Sequence, residues 1–458
     1  MQRFTKQSDA GHASVVLRRG RRQFPHCLRI SGCLLLLLSA ILVAPIAAKA
    51  ATADTGILWG VAESGLELGK GTKRGTNYAV PDPSYYLTHN VRLIRLPFQM
   101  SRLQPHPMAP LDPAFVRLMK VIVAADHAGG AITVLDPHGY GFYDIDGKAA
   151  DLLQDPAAAD DYVDLMRRLA TAFARDDVAI GLMNEPHTGS DAAYAGLWNR
   201  AIAAIRQAGF TGTILVPHAH WGNAKDISPQ HPYEGRIQDP LHNWVLEVHL
   251  YLDPDSTGTY RQPVPNALIG HQRLAGAIAW SKQSGVKLFL GETGSPPDAT
   301  GLAALKGVLD DVATNPDVFW GVCLWGAGPW WKPNYPMRLD PIDGQARPQF
   351  LALEDAFVPQ RIYLAKPLGQ SPVSVDIFVD GQELRPAPRV TADITAAPQA
   401  VAIPFALSPG IHHILLKTSE ADLKAYVLGA TWQHHPDGPN GIAEIGPQEY
   451  RFDIAIPK

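Results

Sequence analysis

The stretch Gly181-Leu182-Met183-Asn184-Glu185-Pro186-His187 closes an apolar run, Val178 to Met183, that reads as a short buried strand. A strand that ends in an amide and a carboxylate must deliver them to a cleft, because unpaired polar groups are costly in an apolar interior. Glu292, in Leu290-Gly291-Glu292-Thr293-Gly294, ends another apolar strand 107 residues later. Two carboxylates with different duties are what glycosidic bond cleavage needs: one ionised to attack carbon, one protonated to release the leaving oxygen. Arg95 beside one of them would hold that one ionised.

Other strand ends are also polar. In chain order they offer Arg95, then Asp136 and His138, then Asn184 with Glu185, then His218, His220 and Trp221. Glu247, His249 and Tyr251 follow, then Glu292, then Trp325 with Trp330 and Trp331 close behind. A single strand-end histidine is more often a hydrogen-bonded scaffold residue than a catalyst. Glu, His, Arg and Trp converging on one rim are harder to read as scaffold. Tryptophans and Tyr251 suit the apolar face of a sugar ring, with Asn and His reaching its hydroxyls.

The elements that must position these groups repeat one phrase from Thr55 to about Val358: a short apolar strand, a polar cluster, then a segment of helical period. The strands are expected at Ile57–Ala62, Val91–Phe98, Ala131–Leu135, Val178–Met183, Thr213–Val216, Trp244–Leu250, Lys287–Leu290 and Val318–Leu324. Asp112-Pro113 and Asp155-Pro156 read as helix starts, with Asp as cap and Pro in the first turn. Tyr162, Leu165, Met166, Leu169 and Phe173 fall on one helical face. Eight strand–helix units suit a (β/α)8 barrel, an α/β fold whose site lies at the C-terminal strand ends, with the fourth and seventh strands facing across the mouth. The rival, a doubly wound open sheet, lacks a glycine-rich phosphate loop after its first strand. Beyond Val358 the period changes to alternation, as in Val373, Val375, Ile377 and Val379 before Asp380-Gly381, and predicts a small all-β sandwich over 359–458.

The ordered set Arg95 ("RLPF"), His138 ("DPHGY"), Asn184 and Glu185 ("MNEPH"), His249 and Tyr251 ("EVHLYLD"), Glu292 ("GETG") and Trp325 ("LWGAGPWW") resembles glycoside hydrolase family 5, in its cellulase-type endoglucanases. That resemblance spans residues 55 to about 350 and implies a TIM barrel, here placed at 51–358, and a retaining double displacement. Glu185 would be the acid/base and Glu292 the nucleophile. Asn184 would contact the hydroxyl beside the reacting carbon, while Arg95 and Tyr251 hold the nucleophile and His138 and His249 support the site. Trp325 would be the sugar platform, with Trp221 and Trp330 as further stacking residues. The chain departs from the family pattern at Thr293, where an aromatic is frequent, and at Gly139, where Asn is usual. The implied substrate is a β-1,4-glucan, with mannan, xylan and β-1,3-glucan as alternatives.

Two readings of other classes compete. His218-Ala219-His220 resembles the His-x-His of metal-dependent amidohydrolases, but it follows the fifth strand instead of the first, so neither a metal nor another cofactor is expected. A non-catalytic glycan-binding protein would be expected to lose one glutamate. Cys323 lies within an apolar run and reads as a small buried hydrophobe. Trp432, His434, His435 and Asp437 form a polar-aromatic cluster that would suit a carbohydrate-binding module, with or without calcium, as well as a plain packing domain.

Residues 1–50 read as an export signal: Arg18, Arg19, Arg21, Arg22 and Arg29, an apolar run broken by Pro45, and Ala48-Lys49-Ala50 as a cleavage site. That segment holds eight of the 40 Lys+Arg and one of the 44 Asp+Glu, so the remaining chain carries 32 − 43 = −11. Such a chain has no electrostatic footprint for nucleic acid or anionic lipid. The expectation is a secreted or periplasmic monomer with no lasting membrane anchor and no disulfide.

Overall fold

The structure is a computed structural model; it describes residues 57–69, 78–145, 148–227, 233, 236–357 and, beyond these, 361–365, 372–384, 389–390, 399–402, 410–418, 424–428, 431–432, 443–446 and 449–456. Each of the eight expected apolar runs forms a strand, its ends displaced by no more than four residues. They are β1 (Leu58–Glu63), β2 (Leu93–Phe98), β3 (Ile132–Pro137), β4 (Val178–Gly181), β5 (Ile214–Pro217), β6 (Trp244–Tyr251), β7 (Leu288–Gly294) and β8 (Phe319–Ala327). All eight pair in parallel and in sequence order, and β8 closes on β1, so the sheet is a barrel and the open-sheet rival is excluded. In that order β4 and β7 are separated by β5 and β6, so the two glutamates come from strands three steps apart; β8, not β7, stands opposite β4.

Helices fill the outer layer where the caps predict them. Asp112 Oδ1 accepts from the Phe115 amide at 2.7 Å before the helix Pro113–Ala128. Asp155 accepts from the Ala157 and Ala158 amides at 3.0 and 3.2 Å before Pro156–Phe173. On the latter, Tyr162, Leu165, Met166, Leu169 and Phe173 are fully buried against the barrel, as their spacing requires.

Inside the barrel the strands build layers. Leu93, Val134, Ala179, Leu215, Val245, Phe289 and Cys323, one from each of β2 to β8, form an apolar plug. Cys323 is part of that plug, and burial pushes its thiol well above the ordinary range, so it is an inert core residue. Two residues further along, strand alternation brings Arg95, Asp136 and Glu247 inward above the plug. The polar layer therefore sits on a dry floor.

A hairpin not expected from the sequence, Phe142–Ile145 with Lys148–Asp151, rises from the loop after β3. The C-terminal region is antiparallel β throughout its described residues. Val373, Val375, Ile377 and Val379 are buried on one face of Val373–Val379, which pairs with Gly410–Thr418, so the alternation is realised. Its sheets also take up Arg361–Ala365, Gln399–Ala402 and Glu449–Ile456. Trp432 falls in a short strand, and His434, His435 and Asp437 lie outside the described residues, as does the segment 1–50.

Candidate active site

The polar layer is organised by Arg95. Its Nε donates to Glu247 Oε1 at 3.0 Å, Nη1 to Glu292 Oε1 at 2.7 Å and Nη2 to Asn184 Oδ1 at 2.7 Å, with Asp136 Oδ2 at 3.2 Å. Burial opposes the charge on Arg95, but Asp136, Glu247 and Glu292 outweigh it and raise its pKa further. The same cation holds Asp136 below the usual carboxylate range against its own burial. Asp136 and Glu247, strand-end acids whose role the sequence alone does not assign, are the countercharges that let a buried guanidinium exist.

Glu292 reaches Arg95 through a bulge. By strict alternation from the inward Phe289, Gly291 points in and Glu292 points out. The β6–β7 register slips between Val248 and His249, which pair with Leu290 and Glu292 and skip Gly291. Both Gly291 and Glu292 then face the interior, the re-aiming that bulges supply beside active sites. Residue 291 must be glycine, since a Cβ there would stand 2.4 Å from Glu247 Oε1. Tyr251 donates to the second oxygen of Glu292 at 2.6 Å. Burial and the charge of Glu292 raise the Tyr251 pKa well above normal, so it keeps the proton it donates.

Glu185 follows β4 in the left-handed region, φ 45°, directly before Pro186. That conformation is disfavoured for a residue that carries a Cβ and precedes proline, and strain of this kind gathers at functional sites. Its Oε1 lies 2.8 Å from His249 Nδ1, and His249 Nε2 faces Glu247 Oε1 at 3.5 Å. Burial draws the His249 pKa down, but Glu292, Glu185 and Glu247 together push it up to about 10. The imidazole thus sits among three carboxylates that favour its protonated form. One oxygen of Glu185, one of Glu292 and a nitrogen of His249 lie within 4.8 Å of one another, the one such group among the described residues that could hold a metal ion. Within the group Glu185 is hydrogen-bonded to His249, and Glu292 to Arg95 and Tyr251.

His138 Nδ1 meets Asp136 Oδ2 at 2.8 Å, and its Nε2 faces Asn184 Nδ2 at 3.2 Å and the Tyr140 hydroxyl at 3.0 Å. The Trp325 ring stacks on His138, with 6.0 Å between centroids, and donates its Nε1–H to Tyr335 at 3.1 Å. Trp331 joins this ring cluster edge-on to Trp325. Trp330 instead stands 43% exposed beside it. Trp221 is 50% exposed, with Tyr140 at 6.0 Å and the His187 ring stacked on it at 3.8 Å. Tyr140, His187 and Tyr335 carry no role in the sequence alone, because their loop positions have no periodicity to mark them.

His218 is a scaffold residue. Its Nδ1 pairs with Asp191 at 2.9 Å in the interior, and Asp191 also accepts from the Ala219 amide, while His220 points to solvent. The two departures are accommodated by packing. A side chain at Gly139 would meet Met100 Cε at 2.3 Å and Phe142 O at 2.7 Å, and Thr293 is fully buried.

Residues 85–328 match the family model for cellulase, glycosyl hydrolase family 5. The chain is 31% identical over 319 residues to endoglucanase gh5-1 of Neurospora crassa, covering 68% of this chain and 79% of that protein. The solved endo-β-1,4-glucanase Xac0029 of Xanthomonas axonopodis pv. citri is 32% identical with a TM-score of 0.61, covering 66% of this chain and 98% of that one. XacCel5A, solved in complex with cellopentaose, is 33% identical with a TM-score of 0.60, covering 66% and 99%.

Proposed function

Because this chain belongs to glycosyl hydrolase family 5, the cellulase family, we propose that it is an endo-acting β-1,4-glucanase that retains configuration through Glu185 and Glu292. The approach of the two carboxylates carries the reading. One oxygen of each carboxylate within 4.8 Å of the other favours the roughly 5–5.5 Å separation of a retaining pair over the roughly 6.5–9.5 Å of an inverting one.

In the first step a Glu292 oxygen attacks the anomeric carbon and forms a glycosyl ester, while Glu185 gives its proton to the departing oxygen. In the second, Glu185 takes a proton from water, the water oxygen attacks the same carbon, and Glu292 leaves as carboxylate. One glycosidic bond and one water are consumed, and both glutamates return to their starting state. Arg95 and Tyr251, one on each oxygen, orient Glu292 for attack. His249 orients Glu185. Asn184 faces the hydroxyl beside the reacting carbon, Trp325 and His138 lie under the ring, and Trp221 and Trp330 extend the stacking surface.

A β-1,4-glucan presents flat, equatorially substituted rings with apolar faces that exposed tryptophans can hold in a row. The names of the relatives, endoglucanases and a cellopentaose complex, support the same substrate. The reading further takes residues 1–50 as an export signal, 51–358 as the catalytic barrel and 359–458 as a β-sandwich that binds glycan or packs on the barrel. It places a monomeric enzyme outside the cytoplasm. A polysaccharide panel with product sizing tests the substrate. Carboxymethylcellulose or mixed-linkage glucan should lose viscosity rapidly and yield short oligosaccharides. Turnover of mannan, xylan or laminarin with none of β-1,4-glucan would overturn the substrate while keeping the two glutamates.

A further inference from the structure

His187 closes the segment that carries Glu185, yet no step above uses it. Its ring lies almost parallel to Trp221, at 7° with centroids 3.8 Å apart, and its Nδ1 lies 3.4 Å from the Glu185 carbonyl oxygen. Pro186, between them, accepts from the Trp221 amide at 3.4 Å. Trp221 itself belongs to three consecutive left-handed residues, His220, Trp221 and Gly222, with φ of 56°, 63° and 67°. A loop wound that tightly is held by what packs on it. One face of Trp221 is covered by His187 and half of the residue is open to solvent.

The two tryptophan platforms divide between the two glutamates. Trp325 packs in one cluster with Tyr251, the donor to Glu292. Trp221 rests on the Glu185 segment. The sugar attacked at carbon sits on the nucleophile's side and the departing sugar on the acid's side, so Trp221 lies where the departing sugar must stack.

We propose that His187 is a positioning residue that fixes Trp221 in register with Glu185, so that the leaving-side glucosyl unit is seated relative to the proton it receives. This rests on the glucanase reading above. The ligand class is the reducing-end portion of a β-1,4-glucan. Because Glu185, Pro186 and His187 are contiguous, loss of the stack should loosen binding on one side of the scissile bond only.

The test is cellopentaose hydrolysis by the whole chain, with KM, kcat and the distribution of cleaved bonds, for wild type, His187→Ala and His187→Phe. His187→Ala should raise KM about fivefold or more, the scale of one lost stacking contact, with a smaller change in kcat. Cleavage should shift toward bonds that leave fewer units on the departing side. His187→Phe, which keeps a flat ring, should restore both. An unchanged bond distribution in His187→Ala, or a His187→Phe variant that folds and is as impaired as His187→Ala, overturns the inference and leaves the glucanase reading standing. Wild-type protein inert on cellopentaose removes both.

Discussion

Arg95 joins Glu247, Glu292, Asn184 and Asp136 in one buried cluster, and His249 stands beside it among Glu185, Glu247 and Glu292. The clearest prediction at this scale concerns the pair. Glu185→Gln and Glu292→Gln should each lower turnover by several orders of magnitude on circular-dichroism spectra that match wild type. Azide should rescue Glu292→Gly as the α-glycosyl azide and Glu185→Ala as the β-anomer; near-normal turnover in either variant would sink the mechanism. A second prediction follows from the raised pKa of His249. Its folded pKa of about 10 exceeds the unfolded value of about 6.5, so the folded state binds the proton more tightly. The stability this contributes is fully present below pH ~6.5 and drains away as pH rises toward about 10. Urea unfolding between pH 6 and 10 should show the decline in wild type and a flatter profile in His249→Gln; parallel profiles would refute it.

At the scale of elements, the bulge in β7 matters most. Gly291 is the one residue that lets Glu247 and Glu292 share the interior, because any Cβ there meets the Glu247 carboxylate. Gly291→Ala should therefore force Glu247 off Arg95, lowering stability by about 1–3 kcal/mol, the usual scale of overpacking. Thermal melting and turnover on soluble glucan should fall together; a variant with wild-type melting and activity would show that the register slip is not required. Gly222 is a lesser case of the same kind. It is left-handed at φ 67°, its carbonyl accepts from the His249 amide, and a Cβ would stand 3.2 Å from the His249 ring. The β5 loop that displays Trp221 thus also backs the histidine that holds Glu185.

At the scale of the whole molecule, protein purified from an exporting host should begin near Ala51 and carry the acidic balance of −11 worked out from the sequence. Intact mass spectrometry decides this, and retention of residues 1–50 would refute the signal. Chelator should leave turnover of soluble glucan unchanged, because Glu185 is held by His249 and Glu292 by Arg95 and Tyr251; activity lost to chelator and restored by zinc would overturn that. Much of this molecule was legible from sequence because the signals are local. Apolar runs of strand length, Asp-Pro helix starts and alternation after Val373 depend only on near neighbours, and they located the barrel strands, two capped helices and one β-face of the C-terminal region. The ordered polar strand ends likewise marked Arg95, Asn184, Glu185, His249, Tyr251 and Glu292. What a single chain reading could not supply depends on register between distant strands. Strict alternation turns Glu292 outward, and only the slip of β7 against β6 brings it in. The countercharges Asp136 and Glu247 around Arg95 and the stack of His187 on Trp221 join residues far apart in sequence. Sequence determined which groups reach the mouth of the barrel; tertiary structure decided which way they face and what they touch, because those are set by long-range packing that no local pattern encodes.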